Sequence, residues 1–273
     1  MTSNSKVAVN LGGVPETLLG TLRDRAVEGL RADARIVDPI SVGLYERIEF
    51  DWSRLGPPSQ PNYMRALAFD AEVRKFLQNT PAGCVVSLGD GLDTGFFRVD
   101  NGKCNWISVD IPEVARLRNE LLPANARLRN FGCSAFDTRW MDEVSPGMKA
   151  PIFLAQGLFQ YFSRQDVVSL LERIAVRFPG STVVFDVVPE WFVSKTKRGW
   201  KKSEGYHLPE MSFALSTDEA EGLRKDVPAI SSIQVIALPA GHREFGNLTM
   251  ATVRAVPWLR RRFPAVLRVT FAS

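Results

Sequence analysis

The chain has 273 residues, 45% of them hydrophobic, and a formal net charge of +4. This length and apolar content predict a single large domain over residues 1–273, and no apolar stretch approaches the ~20 residues that a membrane-spanning helix needs. The mild positive charge does not indicate a nucleic-acid-binding protein, because no known RNA-binding module accompanies the basic runs KTKRGWKK and WLRRRFP. We therefore expect neither a nucleic acid nor a membrane as a partner.

The N-terminus and the cysteines predict a cytoplasmic protein. The first residues, MTSNSKVAVNLGG, lack the basic region and the long apolar run of a signal peptide. Three cysteines cannot all pair, and Cys84 and Cys133 lie in apolar, strand-like surroundings, which is typical of buried thiols in a reducing compartment. With two histidines and no metal-ligand spacing, the sequence predicts no metal site.

In chain order, a mostly helical region comes first and seven short apolar runs follow it. The helical patterns are PETLLGTLRDRAVEGL and YMRALAFDAEVRKFLQ. Several of the apolar runs are continuous, as in strands that are buried on both faces. The predicted strands are Cys84–Leu88, Asn105–Val109, Arg127–Cys133, Ile152–Gln156, Thr182–Val188, Ser232–Leu238 and Val266–Phe271.

Helices are predicted between these strands, at Pro112–Leu122, Arg164–Arg177 and Thr217–Lys225. Strands that alternate with helices predict an α/β fold with a mainly parallel sheet. The last strand follows a helix, so the pattern alone leaves its direction open. The segment Pro189–Gly246 is longer than a tight connection needs and carries aromatic residues among lysines and glycines, which is typical of a binding loop or lid.

The first strand runs into the glycine-rich turn GDGLDTG, which contains Gly89, Gly91 and Gly95. A dinucleotide fingerprint has the spacing G-x-G-x-x-G, and here the third glycine comes one residue late. Asp110 lies 19 residues after Gly91, close to the position of an acid that binds ribose hydroxyls. The spacing therefore fits any cofactor that carries a ribose.

The charge of the turn distinguishes between such cofactors. Asp90 and Asp93 would repel a pyrophosphate, each by a few kcal/mol within ~5 Å at an effective dielectric near 20. S-adenosylmethionine carries a sulfonium and an ammonium and no phosphate, so carboxylates suit it better. An alternative is that Asp93 only caps the next helix and Asp90 faces solvent. An NAD(P)-dependent oxidoreductase stays a second alternative, although no Tyr-x-x-x-Lys pair is present.

Seven segments in order resemble the leucine carboxyl methyltransferase family, and within it a bacterial branch of polyketide-type (tetracenomycin-type) O-methyltransferases. They span roughly residues 13–191, and the last third of the chain matches more loosely. The segments are GVPETLLGTLRDRAVEGLRADARIVDP, RALAFDAEVRKFL, VVSLGDGLDTGFFRVDNG, WISVDIPEVARLRNELLP, SAFDTRWMDEV, LAQGLFQYFSRQDV and RFPGSTVVFDVVPEW.

The resemblance implies a class I fold that binds S-adenosylmethionine. This fold is Rossmann-like, with seven strands of which the last is antiparallel, and a helical cap is added to it. On this basis residues 1–80 are expected to form an N-terminal cap or lid, and residues 189–246 a substrate-side insertion. The acceptor would then lie between these two parts and the carboxyl edge of the sheet.

The resemblance also implies roles for residues near the methionine part of the cofactor. Arg65, in RALAFD, matches the arginine that grips the cofactor carboxylate. Gly89 and Gly91 would form the cofactor loop, with Asp93 beside it. Gln156 stands where the family usually has glutamate. An amide keeps the hydrogen bonds and loses the charge, so we expect a modest fall in cofactor affinity.

Other positions would contact the ribose and the adenine. By the same resemblance, Asp110 would accept hydrogen bonds from the ribose hydroxyls, and Ile111 would lie next to the adenine. Ser134 and Ala135, which precede the run FDTRW, fall where the adenine edge is read. Tyr161, five residues after Gln156, would face the methyl group or the acceptor.

The choice of acceptor follows from the chemistry of methyl transfer. The reaction is an in-line displacement in which alignment and desolvation supply much of the rate. A carboxylate is already ionised at pH 7, whereas a phenol with a pKa near 10 benefits from a general base. No His/Asp pair is visible by spacing, which favours a methyl ester of a small acidic molecule, aromatic or acyl. A phenolic acceptor remains open, with Tyr161 or His207 as the helping group.

Overall fold

The computed structural model describes residues 6–9, 11–144 and 150–273, so residues 1–5 and 10 of the expected cap lie outside the described residues. Seven strands form the main sheet. They are β1 (Cys84–Leu88), β2 (Asn105–Asp110), β3 (Leu128–Gly132), β4 (Ile152–Ala155), β5 (Thr182–Val187), β6 (Ile230–Ile236) and β7 (Ala265–Phe271). Their order across the sheet is β3-β2-β1-β4-β5-β7-β6.

The last strand, β7, is inserted between β5 and β6 and runs antiparallel to both. The pairs β1–β2, β1–β4, β2–β3 and β4–β5 are parallel. This arrangement confirms the predicted fold class, including the antiparallel last strand. The predicted bounds of every strand agree with the structure within two residues.

Helices lie on both faces of the sheet. Successive side chains of a strand point to opposite faces, so apolar side chains on both faces have to be covered. In β1, Val86 belongs to the apolar cluster that the helix Arg164–Arg177 covers, and Val85 belongs to the cluster under the helix Gln60–Asn79. All five residues of β1 are buried. The central strands therefore form the middle layer of three, as their continuous apolar sequences predict.

The helices of eight residues or more are distributed along the whole chain. They are α1 (Thr17–Gly29), α2 (Pro39–Arg47), α3 (Gln60–Asn79), α5 (Pro112–Leu121), α6 (Arg164–Arg177), α7 (Glu190–Lys197) and α9 (Asn247–Ala255). The shorter ones are α4 (Gly95–Val99), α8 (Leu223–Asp226) and α10 (Pro257–Arg260). No helix among the described residues is long and apolar enough to cross a membrane.

The helix predicted at Thr217–Lys225 is wrong in its extent. Only Leu223–Asp226 is α-helical, and a 3₁₀ turn at Ala220–Gly222 precedes it. The side chain of Glu219 accepts hydrogen bonds from the backbone N–H and the hydroxyl of Ser216, which holds the start of this segment as a turn. Gly222 then falls inside the segment, where glycine disfavours a helix.

The N-terminal 80 residues divide between two positions. The helices α1 and α2 pack with α5 along its length and with Leu92 of the glycine turn, through Leu18, Leu22 and Leu44. In contrast, α3 packs flat on the sheet through Phe69 and Val73 and belongs to the core. Within residues 1–80, α3 is thus a layer of the central fold, and a cap or lid role for α1 and α2 remains a prediction.

The segment 189–246 contains three kinds of structure. It begins with α7, continues into a short antiparallel hairpin of Lys201–Ser203 and Tyr206–His207, and ends after β6 of the main sheet. The hairpin lies against the N-terminal part, since the C=O of Arg54 accepts a hydrogen bond from Ser203. The insertion and the N-terminal helices thus meet on one side of the molecule.

Candidate cofactor and acceptor site

The glycine turn between β1 and α4 adopts a backbone that requires glycine. Gly89 has φ +61° and Gly91 has φ +53°, in the left-handed region that glycine adopts without strain. A Cβ atom added to Gly89 would lie 2.6 Å from Cδ1 of Leu158. The backbone N–H of Gly89 donates to the C=O of Val109 at 2.8 Å, so the turn stays attached to β2.

Asp110 ends β2 directly beside this turn. One carboxylate oxygen accepts the N–H of Gly91 at 2.7 Å, and the other accepts the N–H of Ile111 at 2.8 Å. Burial raises the pKa of Asp110, and these two N–H groups oppose that effect. Ile111 is half-buried against the α1–α5 cluster. The structure therefore brings Gly91, Asp110 and Ile111 together at the carboxyl edge of the sheet, where ligands bind in open α/β folds.

The two aspartates of the turn face arginines of the protein itself. Asp90 is buried, accepts a hydrogen bond from the hydroxyl of Ser87 at 2.6 Å and pairs with Arg118 at 2.8 Å. The alternative that Asp90 faces solvent is therefore wrong. Burial raises the pKa of Asp90, and the Arg118 guanidinium lowers it.

Thr94 is the N-cap residue of α4, but the carboxylate of Asp93 accepts the N–H of Gly95, the first helical residue, at 2.6 Å. Asp93 also lies 3.1 Å from Arg25 and 3.1 Å from Arg98. Although burial raises its pKa, the two guanidinium groups hold the pKa of Asp93 well below its usual range. The negative charge of the turn is thus neutralised by arginines of the protein itself. The charges of Asp90 and Asp93 therefore do not favour S-adenosylmethionine over a pyrophosphate. A place for Asp93 beside the cofactor remains a prediction.

Arg65 lies on α3 and reaches across to the sheet. Its Nη1 donates to Asp186 at 2.7 Å, and Asp186 also accepts the N–H of Gly157 at 2.5 Å. The Nε of Arg65 is buried and has no hydrogen-bond partner among the described residues. Gly157 has φ +71°, and a Cβ there would lie 3.1 Å from Nη2 of Arg65. Asp186 was not predicted as a site residue. A single acid inside the apolar run VVFDVV could have indicated a buried carboxylate with a partner.

Gln156 follows β4 and lines a cavity of about 10 Å³ beside the glycine turn. Asp90, Asp93 and Arg98 line the same cavity, together with Asp70. A glutamate at position 156 would therefore add a fourth carboxylate to a cavity whose three carboxylates already have arginine partners. The neutral amide avoids this repulsion, which gives a physical reason for glutamine here.

Ser134 and Ala135 follow β3 at the same edge of the sheet. The Ser134 hydroxyl is exposed and accepts the N–H of Phe136 at 3.2 Å. Ala135 is buried, and its C=O accepts the indole N–H of Trp140 at 2.9 Å. These bonds fix the turn but bring neither residue into contact with the glycine loop, so their role at the adenine edge remains a prediction.

Tyr161 ends a short 3₁₀ helix, Phe159–Tyr161, and is half-buried. Burial raises its pKa, and the neighbouring Thr17 hydroxyl and Arg65 guanidinium lower it. Tyr206, one of the aromatic residues that the sequence places in the segment 189–246, is a second phenol close to this position. It is buried, which raises its pKa, and Tyr161 and Glu16 raise it further.

His207 follows Tyr206 on the outer hairpin and is exposed. Its side chain forms no hydrogen bond or ion pair with the part of the chain that the structure describes. Strand alternation explains this difference, because neighbouring residues of a strand point to opposite faces and Tyr206 takes the inner one. The structure does not bring His207 to Tyr161.

The strand order, the glycine turn and the acid at the end of β2 define a class I S-adenosylmethionine-dependent methyltransferase. Residues 23–175 match the family model of leucine carboxyl methyltransferase. The chain belongs to this family.

Individual relatives agree with this assignment. The chain is 30% identical over 272 residues to the tetracenomycin polyketide synthesis O-methyltransferase TcmP of Streptomyces glaucescens, covering 96% of this chain and 98% of that protein. It is 28% identical over 197 residues to the S-adenosyl-L-methionine-dependent methyltransferase dpfgK of Gibberella zeae, covering 65% and 66% of the two chains. A crystal structure of a Thermobifida fusca protein assigned as a methyltransferase superposes with a TM-score of 0.55 at 14% identity, covering 100% and 97%, and shows the same fold.

These comparisons confirm the family, the methyltransferase class and S-adenosylmethionine as the cofactor. The NAD(P)-dependent oxidoreductase alternative is thereby set aside. The residues of the site also fit this cofactor on their own chemistry. The buried, unpartnered Nε of Arg65 suits an anionic group, and the carboxylate of Asp110 suits hydroxyl donors.

Proposed function

We propose that the enzyme methylates a carboxylate of a small molecule and forms a methyl ester. The observation that carries the proposal is the chemistry around Tyr161. The polar side chains that act on Tyr161 are those of Thr17, Arg65, Gln160 and Asp186, and Tyr206 lies close by. Asp186 is engaged by Arg65 and Gly157, and none of the others is a base at pH 7. An acceptor that is already ionised needs no base, whereas a phenol does.

The binding roles in this proposal fall to residues around the loop. When bound, S-adenosylmethionine supplies a methyl group on a positively charged sulfur. Arg65 would pair with the carboxylate of the cofactor through its free Nε, and Asp110 would accept hydrogen bonds from the ribose hydroxyls. Gly89 and Gly91 allow close approach of the backbone to the ligand. Ile111, Ser134 and Ala135 would contact the adenine, as the resemblance implies.

Tyr161 and Tyr206 suit the binding of an anionic acceptor. Since burial raises both pKa values above that of an ordinary phenol, both hydroxyls stay protonated at pH 7. A protonated phenol donates a hydrogen bond to a carboxylate but does not accept a proton from an acceptor. These two residues would therefore orient the carboxylate towards the methyl group.

The insertion offers a surface for an acidic, flat molecule. The side chains of Phe192 and Trp200 pack edge to face with centroids 5.0 Å apart, and the ammonium of Lys195 lies 3.6 Å from the centroid of the Trp200 ring. Phe192 packs in the same cluster as Tyr161, so this surface continues to the proposed acceptor site. The polyketide synthesis in the name of TcmP supports a small-molecule acid as the acceptor. The three buried free cysteines support a reducing, cytoplasmic location.

The test is methyl transfer from radiolabelled S-adenosylmethionine to a panel of aromatic and acyl carboxylic acids. Each acid is paired with its phenol or alcohol analogue and with its preformed methyl ester as a matched control. Mild alkali hydrolyses a methyl ester and releases volatile methanol, whereas a phenolic methyl ether is stable. We expect volatile label from the acids alone. Alkali-stable label on the phenols would overturn the proposal in favour of phenolic O-methylation.

A second experiment tests the charge of the insertion. If Lys201 and Lys202 attract the acid, the change of both to Gln raises the KM for the acceptor several-fold and leaves the KM for S-adenosylmethionine unchanged. An unchanged acceptor KM removes these lysines from the proposal.

A further inference from the structure

Arg118 is a fully buried arginine on α5 that the mechanism above does not use. Only 1% of it is exposed. Its Nη2 lies 2.8 Å from the carboxylate of Asp90, and its Nε donates to the side chain of Asn130 at 2.9 Å. Its Nη1 donates to two backbone carbonyls of the glycine turn, those of Gly91 at 2.7 Å and Asp93 at 3.1 Å. One guanidinium thus holds the turn at three places, Asp90, Gly91 and Asp93.

These contacts connect Arg118 to the residues that would bind the cofactor. The N–H of Gly91 donates to Asp110, and the C=O of the same residue accepts from Arg118. The two peptide groups that flank the Gly91 Cα are therefore fixed from opposite sides. Glycine has no side chain to restrict its dihedral angles, so these two hydrogen bonds keep Gly91 at φ +53°. If the contact to Arg118 is lost, the Gly91 peptide becomes free to rotate away from Asp110.

We propose that Arg118 is a positioning residue for the cofactor loop, which sets the affinity for S-adenosylmethionine through Gly91 and Asp110 without touching the cofactor. In this proposal Asp90 is the counter-ion of Arg118 and no ligand of the cofactor. The inference rests on the family's cofactor and is independent of which acceptor is methylated. Failure of the ester assay therefore leaves it standing, and its own failure leaves the ester proposal intact.

The alternative is that Arg118 only compensates the charge of Asp90 and does not position the cofactor loop. Experiment can separate these two roles. A buried Arg–Asp pair exists in part because either charge alone is costly in the interior. If charge compensation with Asp90 is the whole role of Arg118, any change that removes both charges is harmless to the loop. A lysine would also suffice, because its ammonium is a point charge, although it lacks the planar fork that reaches two carbonyls and a carboxylate together.

The experiment compares four purified variants by calorimetric titration with S-adenosylhomocysteine and by thermal unfolding without ligand. They are R118M, R118K, the double variant R118M/D90N, and R23M as the matched control. Arg23 is also buried, pairs with Asp24 at 2.7 Å and donates to the carbonyl of Gly56, away from the cofactor loop.

We expect R118M to lower the melting temperature most, since it leaves the buried Asp90 carboxylate without its cation. The double variant should recover most of this loss and still bind S-adenosylhomocysteine at least tenfold more weakly than wild type. R118K should melt close to wild type with a similar loss of affinity. R23M should lose stability but keep the dissociation constant within twofold. In steady state with any accepted substrate, the Arg118 variants should raise the KM for S-adenosylmethionine far more than they lower kcat.

Two results would overturn the inference. One is a wild-type dissociation constant in R118M/D90N or R118K, which would reduce Arg118 to charge compensation. The other is an equal loss of affinity in R23M, which would show that affinity follows general stability. Because R118K keeps the charge, the test holds even if R118M alone does not fold.

Discussion

Asp110 offers the sharpest test of the cofactor site, through the isosteric change Asp110→Asn. Each carboxylate oxygen already accepts one backbone N–H, at 2.7 and 2.8 Å. A carboxylate has about four acceptor sites, which leaves room for the two ribose hydroxyls. Hydrogen bonds to a charged group contribute about 1.5–3 kcal/mol, so the loss of the charge should weaken S-adenosylhomocysteine about 10- to 150-fold.

The stability of the same variant should change little. Burial raises the pKa of Asp110, so the folded state holds this proton more tightly than the unfolded chain. The ionised form therefore costs stability above the raised pKa, and this cost disappears as the pH falls through it. Asparagine removes that cost at neutral pH but loses one of the two backbone hydrogen bonds. The two effects oppose each other, and we expect similar melting temperatures for the variant and wild type.

The assay is calorimetric titration with S-adenosylhomocysteine and with an analogue that lacks both ribose hydroxyls. The two proteins and two ligands form a cycle whose coupling isolates the contact between Asp110 and the ribose. We expect Asp110→Asn to weaken the first ligand strongly and the second hardly at all. Asp137→Asn is the control, because Asp137 follows β3 at the same edge and caps a 3₁₀ turn. Equal weakening of both ligands would refute a ribose contact.

Two further changes test other parts of the site, and a third tests the buried phenol of Tyr63 on α3. Gln156→Glu should destabilise the ligand-free protein, because it adds a carboxylate beside Asp90 and Asp93. The same change should raise the affinity for S-adenosylmethionine, which carries a positive sulfonium, relative to S-adenosylhomocysteine. Unchanged affinities by calorimetry would contradict a role for the charge at position 156. His207→Ala should leave turnover at pH 7 unchanged, since the side chain is exposed on the outer hairpin; a large fall in kcat would restore it as a base. Burial raises the pKa of Tyr63 to about 12. The stability from its neutral form is therefore complete below pH 10 and lost as the pH rises towards 12, and Tyr63→Phe should flatten the alkaline branch of a denaturation curve.

The strands were predictable from the sequence because each is a short apolar run between turn residues. β1 lies between Gly83 and Gly89, and all five of its residues are buried, so the pattern and the structure have the same cause. The direction of β7 was not visible in this pattern and followed only from the resemblance to a family. The region around Gly222 shows the opposite case, in which a local side-chain hydrogen bond from Ser216 to Glu219 outweighs helical periodicity.

The site was predictable only where its residues lie close to one another in the sequence. Gly89, Gly91 and Asp110 are separated by short, regular spacings, and the structure places them together. Arg25 and Arg118 reach the same turn from helices that are distant in sequence, and nothing in their local patterns distinguishes them from surface arginines. Long-range pairs of this kind depend on the packing of whole helices, which no periodicity encodes.

The contact of Arg25 with the glycine turn has a consequence for engineering the acceptor range. Arg25 belongs to α1 yet donates to the C=O of Leu92 at 2.8 Å and neutralises Asp93. An exchange of the N-terminal helices between relatives would therefore replace a residue that supports the glycine turn together with the proposed cap. Chimeras that join two family members before α3 should keep Arg25, Asp38 and Arg98 from one parent, since Asp38 pairs with both arginines. A chimera that takes these three residues from different parents can contain a buried carboxylate without its cation. We expect such a chimera to bind S-adenosylmethionine weakly, so that its acceptor specificity could not be assayed.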